Sequence, residues 1–361
     1  MRVFRPLLTL IGVTLLMMAA VACGSAATAT LTATLPPTAT STATPTPTVQ
    51  PLSVTLPQDD ASHKNLLEWW YFNGHLQGLE GAKYGYHFVF FEGYSVSLET
   101  YFLLGQLGIS DHQTETFAFT QRIGSRMEVG ERGFDITVDD WHMSGFAGEF
   151  KLTASLEDYT IDLELSAAKP AAVHDGDGLV DLGDAGKSYY YSYPRIETRG
   201  TVTDHGKEVQ VDGVSWMDHQ WGDFFIADIG WDWFSLQLDD GVEIMYYVIR
   251  DRGGAVTNRF GTLVDAQGNT SPLDASVVTL RALDTWLSPI TNAEYPVAWE
   301  MEIESLGLFL RLDPVLPDAE LYTANPSVPT YWEGEVVIQG QRDGTAIGGL
   351  GFVELVGYDK R

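Results

Sequence analysis

Most of this chain consists of short segments in which aromatic or β-branched residues alternate with other residues, separated by Gly, Asp and Asn. Such alternation is typical of strands, since successive side chains of a strand point to opposite faces. Closely spaced turn signals between strands are typical of a sandwich or barrel. The segments 68–76, 84–92 and 160–165 are examples. Helical periodicity is scarce, so the pattern predicts an all-β fold.

The first 57 residues break this pattern. Arg2 and Arg5 precede an apolar run over residues 7–21, and small residues then lead to Cys23. This order is that of a secretory signal, and the run is short for a membrane-spanning helix. A cysteine directly after the small residues matches the bacterial lipobox; an ordinary signal peptide that happens to contain a cysteine is the alternative. Because Cys23 is the only cysteine, we expect a lipoprotein signal over 1–22 and lipidation of Cys23.

Residues 23–57 form the second part of this N-terminal region. They are rich in Ala, Thr, Pro and Ser and carry no charged side chain. Such a composition cannot bury enough apolar surface to fold, so we expect an extended tether. The chain would then be exported and anchored through the lipid on Cys23 to the extracytoplasmic face of the cell membrane.

The charge balance limits the partners of the chain. It has 49 acidic and 21 basic residues, a formal net charge of −28, which argues against nucleic acid and against anionic lipid head groups. With no cysteine after Cys23 we expect no disulfide and no thiolate metal site. No phosphate-binding glycine loop precedes a helix, and the histidines show no helical metal spacing. We therefore expect no cofactor and no metal.

The segment 218–241 is the strongest candidate for a functional site. It places Asp218, His219 and three tryptophans within residues 218–233. Dense tryptophan beside titratable groups suggests a lined cavity for a hydrophobic small molecule, and a histidine there could carry protons near neutral pH. The structural alternative is that the tryptophans pack in a core and that His219 is satisfied by an ordinary hydrogen bond.

A hairpin signal within this segment predicts which side chains meet. Asp240-Gly241 is typical of a two-residue hairpin loop, and in that register Asp239 pairs with Val242. The pairing would place five side chains on one face, where we expect a pocket: Trp231, Trp233, Ser235, Tyr246 and Arg250.

Several motifs, in order along residues 60–360, resemble those of the AttH and carotenoid 1,2-hydratase (CrtC-like) family. They include Glu68-Trp69-Trp70-Tyr71, Trp216-Met217-Asp218-His219-Gln220-Trp221-Gly222, Gly230-Trp231-Asp232-Trp233-Phe234, Tyr331-Trp332-Glu333-Gly334 and Gly351-Phe352-Val353-Glu354. The resemblance implies an all-β chain of two tandem lipocalin-like antiparallel β-barrels. We divide them near residue 212, into 58–212 and 213–361.

The resemblance also implies two candidate functions. The family contains carotenoid hydratases and a fungal hydratase of an isoprenylated flavonoid, so one is addition of water to a terminal alkene of an isoprenoid by proton transfer and cation capture. The family also contains exported members without an established activity, some encoded beside ABC transporters. The alternative is therefore a non-catalytic lipocalin-like binder of a hydrophobic ligand, accessory to an ABC transporter. Fold and family do not decide between them.

Candidate catalytic residues follow from the hydratases of this family, which use a His and a Trp two positions apart. His219 and Trp221 match that pair. The hydratases also use a Tyr and an Asp two positions apart on a following strand, where this chain has Tyr246 but Val248. Asp218, Asp232 and Glu68 are acids that could substitute, and we include Asp218 among the candidate catalytic residues. The remaining expected ligand-binding residues are Glu68, Trp70, Trp231, Trp233 and Arg250.

Overall fold

The computed structural model describes residues 53–125, 132–324 and 328–360. The predicted signal peptide, Cys23 and the tether up to residue 52 lie outside these residues. The end of the tether was predicted at residue 57, but Val54 and Leu56 pack against the first apolar core. The Val54 amide also donates to the Asp177 carbonyl at 2.8 Å. Residues 54–57 therefore belong to the folded part, because their apolar side chains find partners there.

The described residues form two large antiparallel sheets joined by turns and short 3₁₀ helices. The first sheet contains β1 (Leu67–Gly78), β2 (Lys83–Ser95), β3 (Thr100–Asp111), β4 (Thr116–Ser125), β5 (Phe134–Val138), β6 (Trp141–Phe146), β7 (Glu149–Leu156), β8 (Tyr159–Ala167), β9 (Ala172–Val173), β10 (Leu179–Asp181), β11 (Lys187–Asp204) and β12 (Lys207–Gly222). The second contains β13 (Ile229–Leu238), β14 (Glu243–Asp251), β15 (Val256–Val264), β16 (Thr270–Leu273), β17 (Val278–Leu287), β18 (Glu294–Ile303), β19 (Leu308–Pro314), β20 (Glu320–Leu321), β21 (Tyr331–Arg342) and β22 (Thr345–Val356).

The helices of the described residues are all single 3₁₀ turns. They span Gln58–Asp60, Leu79–Gly81, Gly183–Ala185, Ile226–Asp228, Ala275–Val277 and Glu304–Leu306. Within residues 53–125, 132–324 and 328–360, no helix has the length and hydrophobicity needed to cross a membrane.

Both sheets follow the same plan. The strand order is β4-β3-β2-β1-β12-β11-β8-β7-β6-β5 in the first sheet and β16-β15-β14-β13-β22-β21-β19-β18-β17 in the second. In each sheet the first strand along the chain pairs with the last, β1 with β12 and β13 with β22. This pairing lies at the centre of each sheet, and each sheet curls into a barrel or half-barrel. The prediction of an all-β fold with two tandem barrel-like sheets is confirmed.

Alternation along the central strands divides the buried side chains among three apolar clusters. In β1, Trp70 and Phe72 belong to the cluster inside the first sheet, whereas Trp69 and Tyr71 belong to a cluster shared by both sheets. The second sheet encloses its own cluster, which includes Phe234. Every residue of β13 is buried. The central strands are therefore buried on both faces, against a barrel interior on one side and against the other sheet on the opposite side.

The chain passes from the first sheet to the second at residues 223–228, later than the predicted boundary near residue 212. Strand β12 runs unbroken from residue 207 to residue 222 and pairs with β1 as far as its last residue. The motif that suggested the boundary, 213–222, is the second half of this strand. Its hydrogen bonds to β1 keep all of it in the first sheet.

The loop between β13 and β14 has three residues instead of the predicted two. The Leu238 amide donates to the Val242 carbonyl at 2.8 Å, and the Gly241 amide donates to the Leu238 carbonyl at 3.0 Å. Gly241 has a φ of 79°, the left-handed conformation that closes a three-residue hairpin loop. Asp239 therefore does not pair with Val242.

This extra loop residue shifts the register of the hairpin by one position. Trp233 pairs with Tyr247 and Ser235 with Met245. A shift of one residue moves every side chain of one strand to the other face. The predicted grouping of Tyr246 with the tryptophans is therefore wrong, and Tyr247 takes that place.

A buried ion-pair cluster ties the first sheet to the second. Glu243, at the start of β14, is fully buried. It accepts hydrogen bonds from the Lys169 ammonium at 2.6 Å and from the Arg195 guanidinium at 2.5 Å. Both cations come from the part of the chain that builds the first sheet. Removing one member of such a cluster leaves uncompensated buried charge.

Glu243→Gln should therefore lower the free energy of unfolding by about 3 kcal/mol. Urea denaturation with linear extrapolation measures the change. The matched control is Glu300→Gln. Glu300 forms a 2.7 Å ion pair with the exposed side chain of Arg281, so this substitution should change the free energy of unfolding by less than about 1 kcal/mol. Equal effects of the two substitutions would contradict this account of the cluster.

Candidate functional site

Strand β12 separates the predicted site residues onto its two faces. Asp218 and His219 are consecutive, so their side chains point to opposite sides of the sheet. Asp218 lines a cavity between the two sheets. His219 lies inside the first sheet with Trp70 and Trp221. Most of the predicted residues therefore fall into two separate sites.

The first site, the inter-sheet cavity, is lined by three carboxyl groups and several aromatic rings. Its volume is about 30 Å³, enough for a water molecule. The carboxyl groups belong to Asp218, Glu333 and Glu354. The aromatic walls come from Trp69, Tyr71, Trp231, Trp233, Tyr247 and Tyr331. Two of the predicted ligand-binding tryptophans, at 231 and 233, thus lie beside acids in a largely apolar space.

Asp218 is held firmly in the cavity wall. It accepts hydrogen bonds from three donors: the Ser192 hydroxyl at 2.5 Å, the Trp216 indole at 2.6 Å and the Tyr190 hydroxyl at 2.7 Å. Burial raises the pKa of Asp218 to about 7, although these hydrogen bonds act in the opposite direction. The chain of contacts continues from Ser192 to the His174 Nε2 at 2.7 Å.

Glu333 and Glu354 face each other across β21 and β22. The Tyr71 hydroxyl donates to Glu333 at 2.5 Å, and the Asn73 amide donates to Tyr71 at 2.8 Å. Burial raises the pKa of Glu333 well above its ordinary value, and the negative charge of the neighbouring Glu354 raises it further. Burial raises the pKa of Glu354 to about 7; a hydrogen bond with Trp231 acts in the opposite direction, and the neighbouring Asp218 adds to the rise. Because like charges in a dry site resist joint ionisation, the pair keeps a proton at neutral pH.

This pair can therefore donate one proton and accept another. Two carboxyl groups whose surroundings separate their pKa values are the usual basis for assigning an acid and a base. The adjacent aromatic faces can stabilise a positive charge that develops between them. The inter-sheet cavity is thus suited to acid–base chemistry on an apolar molecule.

The second site is the histidine cluster, formed by His63, Glu68 and His219. The Nε2 of His219 lies 2.8 Å from a Glu68 carboxylate oxygen, and the Nδ1 of His63 lies 2.9 Å from the same oxygen. The Nδ1 of His219 lies 3.1 Å from the Tyr191 hydroxyl, which donates to Asp60 at 2.6 Å. Glu68 and His219 are fully buried, whereas 18% of the His63 side chain is exposed.

Tryptophan rings flank both imidazoles of the cluster. Trp221 stacks on His63 with ring centres 4.0 Å apart, and Trp70 stacks on His219 at 4.9 Å. Burial lowers the pKa of His219. Burial also lowers the pKa of His63, but hydrogen bonds to the carboxylates of Asp59 and Glu68 outweigh burial and raise this pKa to about 9. The three ligand atoms lie within 4.8 Å of one another, and such donors can hold a metal ion.

Two predicted site residues lie in neither place. Tyr246 is fully buried inside the second sheet, and its hydroxyl has no hydrogen-bond partner among the described residues. Arg250 forms an ion pair with Asp232 and lies over the Tyr358 ring at 4.6 Å. The shifted hairpin register turns Tyr246 away from the tryptophans, and the Asp232 pairing holds Arg250 on the same side as Tyr246.

Several residues of these sites were not predicted from the sequence: Tyr71, Tyr247, Glu333 and Glu354 in the cavity and His63 in the cluster. Glu333 and Glu354 stand in motifs that carried the family resemblance, yet no local pattern showed that they face Asp218. His63 lies in the connection before β1, where no periodicity applies. The available signal for the two acids was their position among aromatic and apolar residues, which they share with Glu68.

Comparison with known proteins places these features in a family. A family model described as AttH-like matches residues 47–358. Kievitone hydratase of Fusarium solani subsp. phaseoli is 25% identical over 304 residues, covering 80% of this chain and 81% of that protein. Dehydratase asqC of Emericella nidulans is 26% identical over 222 residues, covering 57% of this chain and 60% of that protein.

A solved structure agrees with the family match. The crystal structure of a Nitrosomonas europaea protein described as AttH has a TM-score of 0.77 and 28% identity, covering 85% of this chain and 97% of that chain. The family model, for its part, spans much more than half of the sequence and includes both sites. This chain therefore belongs to the AttH-like family.

Proposed function

We propose that this protein adds water to, or removes it from, an isoprenoid alkene in the inter-sheet cavity. The relatives named as a hydratase and a dehydratase support this reaction class, since the two names describe opposite directions of one reaction. The observation that carries the proposal is the pairing of Glu333 with Glu354 in an aromatic cavity. Hydration requires one group that donates a proton and another that accepts one.

Glu333 is the proposed acid. Its raised pKa keeps it protonated at neutral pH. Transfer of its proton to one alkene carbon breaks the carboxyl O–H bond, forms a C–H bond and leaves a tertiary cation on the other carbon. The Tyr71 hydroxyl donates to the Glu333 carboxyl and stabilises the carboxylate that this step produces.

The aromatic rings of the cavity are the proposed stabilisers of the cation. Trp231 and Trp233 belong to β13, and Tyr247 lies opposite Trp233 on β14. The faces of these rings carry partial negative charge and attract cations, with tryptophan the strongest. Their apolar surface also excludes bulk water, so that a single water molecule captures the cation.

Glu354 is the proposed base. It orients the attacking water and takes its proton as the C–O bond forms, which gives the alcohol. The proton then returns to Glu333, so the net change is addition of one water molecule. Asp218 already accepts three hydrogen bonds, so we assign it a structural role in the cavity wall. The reverse sequence of steps removes water.

The connection between the sheets is the proposed entrance. A space of about 30 Å³ does not hold an isoprenoid chain, so part of the wall must move to admit one. Ile226, in the connection 223–228, lines the cavity and is half-buried, and its neighbour Phe225 is 63% exposed. The connection is not part of either sheet and can move without breaking strand pairing.

Export and lipid anchoring complete the proposal and rest on the sequence alone. Residues 1–22 would be removed as a signal, and a lipid on Cys23 would hold the protein at the extracytoplasmic face of the membrane. The tether would keep the cavity near isoprenoids dissolved in that membrane. An ABC transporter partner belongs to the alternative, in which the protein binds a hydrophobic ligand without turnover.

Glu333→Gln should lower the rate of hydration of an acyclic carotene end by about 10²–10⁴-fold, because an amide does not replace the acid. The hydrated product is measured by chromatography in detergent solution. Glu335→Gln is the matched control, because Glu335 is buried two positions along the same strand but bonds to His75 and His112; the folded variant should keep its rate. Binding of isoprenoids by the wild type without any turnover would instead favour the non-catalytic alternative.

The rate should follow a bell-shaped pH profile. Glu354 must be ionised to act as the base, so the rate should rise as pH increases through about 7. Glu333 must be protonated, so the rate should fall at higher pH. Measurement of kcat/KM from pH 5 to pH 10 tests both limbs. Glu354→Gln should remove the rising limb; a rising limb that persists in this variant would rule out Glu354 as the base.

Cys23→Ser should abolish lipid attachment, because Cys23 is the only cysteine of the chain and its thiol would carry the lipid. Metabolic labelling with an alkyne fatty acid in a bacterial host, followed by gel fluorescence, measures the attachment. Ser25→Ala, two positions away, should label like the wild type. Labelling of Cys23→Ser at the wild-type level would show that the signal is not a lipoprotein signal.

A further inference from the structure

We infer that the histidine cluster of His63, Glu68 and His219 is a divalent metal site, and that zinc is the best-matched ion. The proposal is independent of the proposed function, because the cluster lies on the opposite face of β12 from the inter-sheet cavity. The Nδ1 of His63, the Nε2 of His219 and a Glu68 oxygen lie within 4.8 Å of one another. Two imidazoles and one carboxylate are a donor set that binds zinc.

The fold brings the three ligands together from distant parts of the chain. Glu68 begins β1 and His219 stands near the end of β12, and these strands pair so that Trp70 is opposite His219. Glu68 and His219 are thus diagonal neighbours on one face of the sheet. His63 reaches them from the connection before β1, and its own amide donates to the Glu68 carboxylate at 2.8 Å.

The two imidazoles of the cluster converge on one carboxylate oxygen. The Nε2 of His219 lies 2.8 Å and the Nδ1 of His63 lies 2.9 Å from the same Glu68 oxygen. The other ring nitrogen of His219, Nδ1, lies 3.1 Å from the Tyr191 hydroxyl, which donates to Asp60 at 2.6 Å. Two imidazole nitrogens and a carboxylate oxygen directed at one point are the arrangement of a metal site.

His63 also contacts an oxygen atom outside the three ligands. Its Nδ1 points at the Glu68 oxygen from 2.9 Å, while its Nε2 lies 3.5 Å from an Asp59 oxygen. Metal-binding histidines generally direct their second ring nitrogen to an oxygen atom that fixes the tautomer. Both imidazoles of the cluster have such an outer partner, Asp59 for His63 and Tyr191 for His219.

Zinc binding would change the spacing of all three ligand atoms. Zinc–ligand distances of about 2.0–2.2 Å in a tetrahedron give ligand–ligand distances of about 3.4 Å. The 2.8 and 2.9 Å contacts to Glu68 would therefore open, and the two imidazole nitrogens, now within 4.8 Å of each other, would adopt the same spacing. Trp221 and Trp70 stack on the imidazoles and hold their orientation. The partial exposure of His63 leaves a route for the ion and for a water molecule as fourth ligand.

Titration of the full chain with metal tests the site. Protein purified in detergent is treated with a chelator, dialysed and titrated with zinc chloride by calorimetry. We expect one equivalent to bind and the thermal midpoint of unfolding to rise, because the ion binds only the folded state. Cobalt(II) at the same site should give the intense visible absorption of tetrahedral coordination. Failure of both zinc and cobalt(II) to bind would overturn the proposal and leave a shared proton in the cluster.

Three substitutions test whether zinc binds at the histidine cluster. His63→Gln, at a partly exposed position that can be replaced without opening a core, should weaken zinc binding by more than about 100-fold. Tyr191→Phe should weaken it by about 10–100-fold, because it removes the outer partner of His219. The matched control His205→Gln, at an exposed histidine, should bind like the wild type. Circular dichroism verifies that each variant folds, and wild-type affinity in folded His63→Gln would overturn the assignment.

Discussion

Burial of both faces of the central strands is the constraint on which the rest of this structure depends. Each side chain of β12 and β13 must fit either the interior of a barrel or the layer between the sheets. Apolar and aromatic residues meet this demand by packing, but a polar group can be buried there only with hydrogen-bond partners. The three donors around Asp218 and the oxygen contacts of His219 follow from this demand.

The same burial produces the chemistry that we propose. The layer between the sheets excludes water, so the charged forms of Glu333 and Glu354 are disfavoured and their pKa values rise. Ion pairing elsewhere opposes this effect of burial, as Lys169 and Arg195 do for Glu243. His87, whose Nδ1 lies 3.7 Å from Glu333, is neutral because burial lowers its pKa to about 3, and no Lys or Arg is among the described residues that line the cavity. They therefore keep a proton that a substrate can receive.

Strand β12 connects the two sites while keeping them chemically separate. Asp218 and His219 are neighbours in sequence, yet one faces the inter-sheet cavity and the other faces the histidine cluster. A metal ion in the cluster would fix the position of His219 and with it this part of the strand. It would also join the connection that carries His63 to the end of the first barrel.

The sequence by itself determined what depends on local periodicity. Alternation fixed the all-β class, the common face of His219 and Trp221, and the common face of Trp231, Trp233 and Ser235, because a strand repeats every two residues. Only the tertiary structure decided which partner each face meets. The left-handed backbone conformation of Gly241 closes a three-residue loop between β13 and β14. The strand register therefore differs by one residue from the predicted one, and Tyr246 faces away from the tryptophans. Glu333 and Glu354 reach the cavity, and His63 reaches His219, through pairings between distant strands that no local pattern encodes.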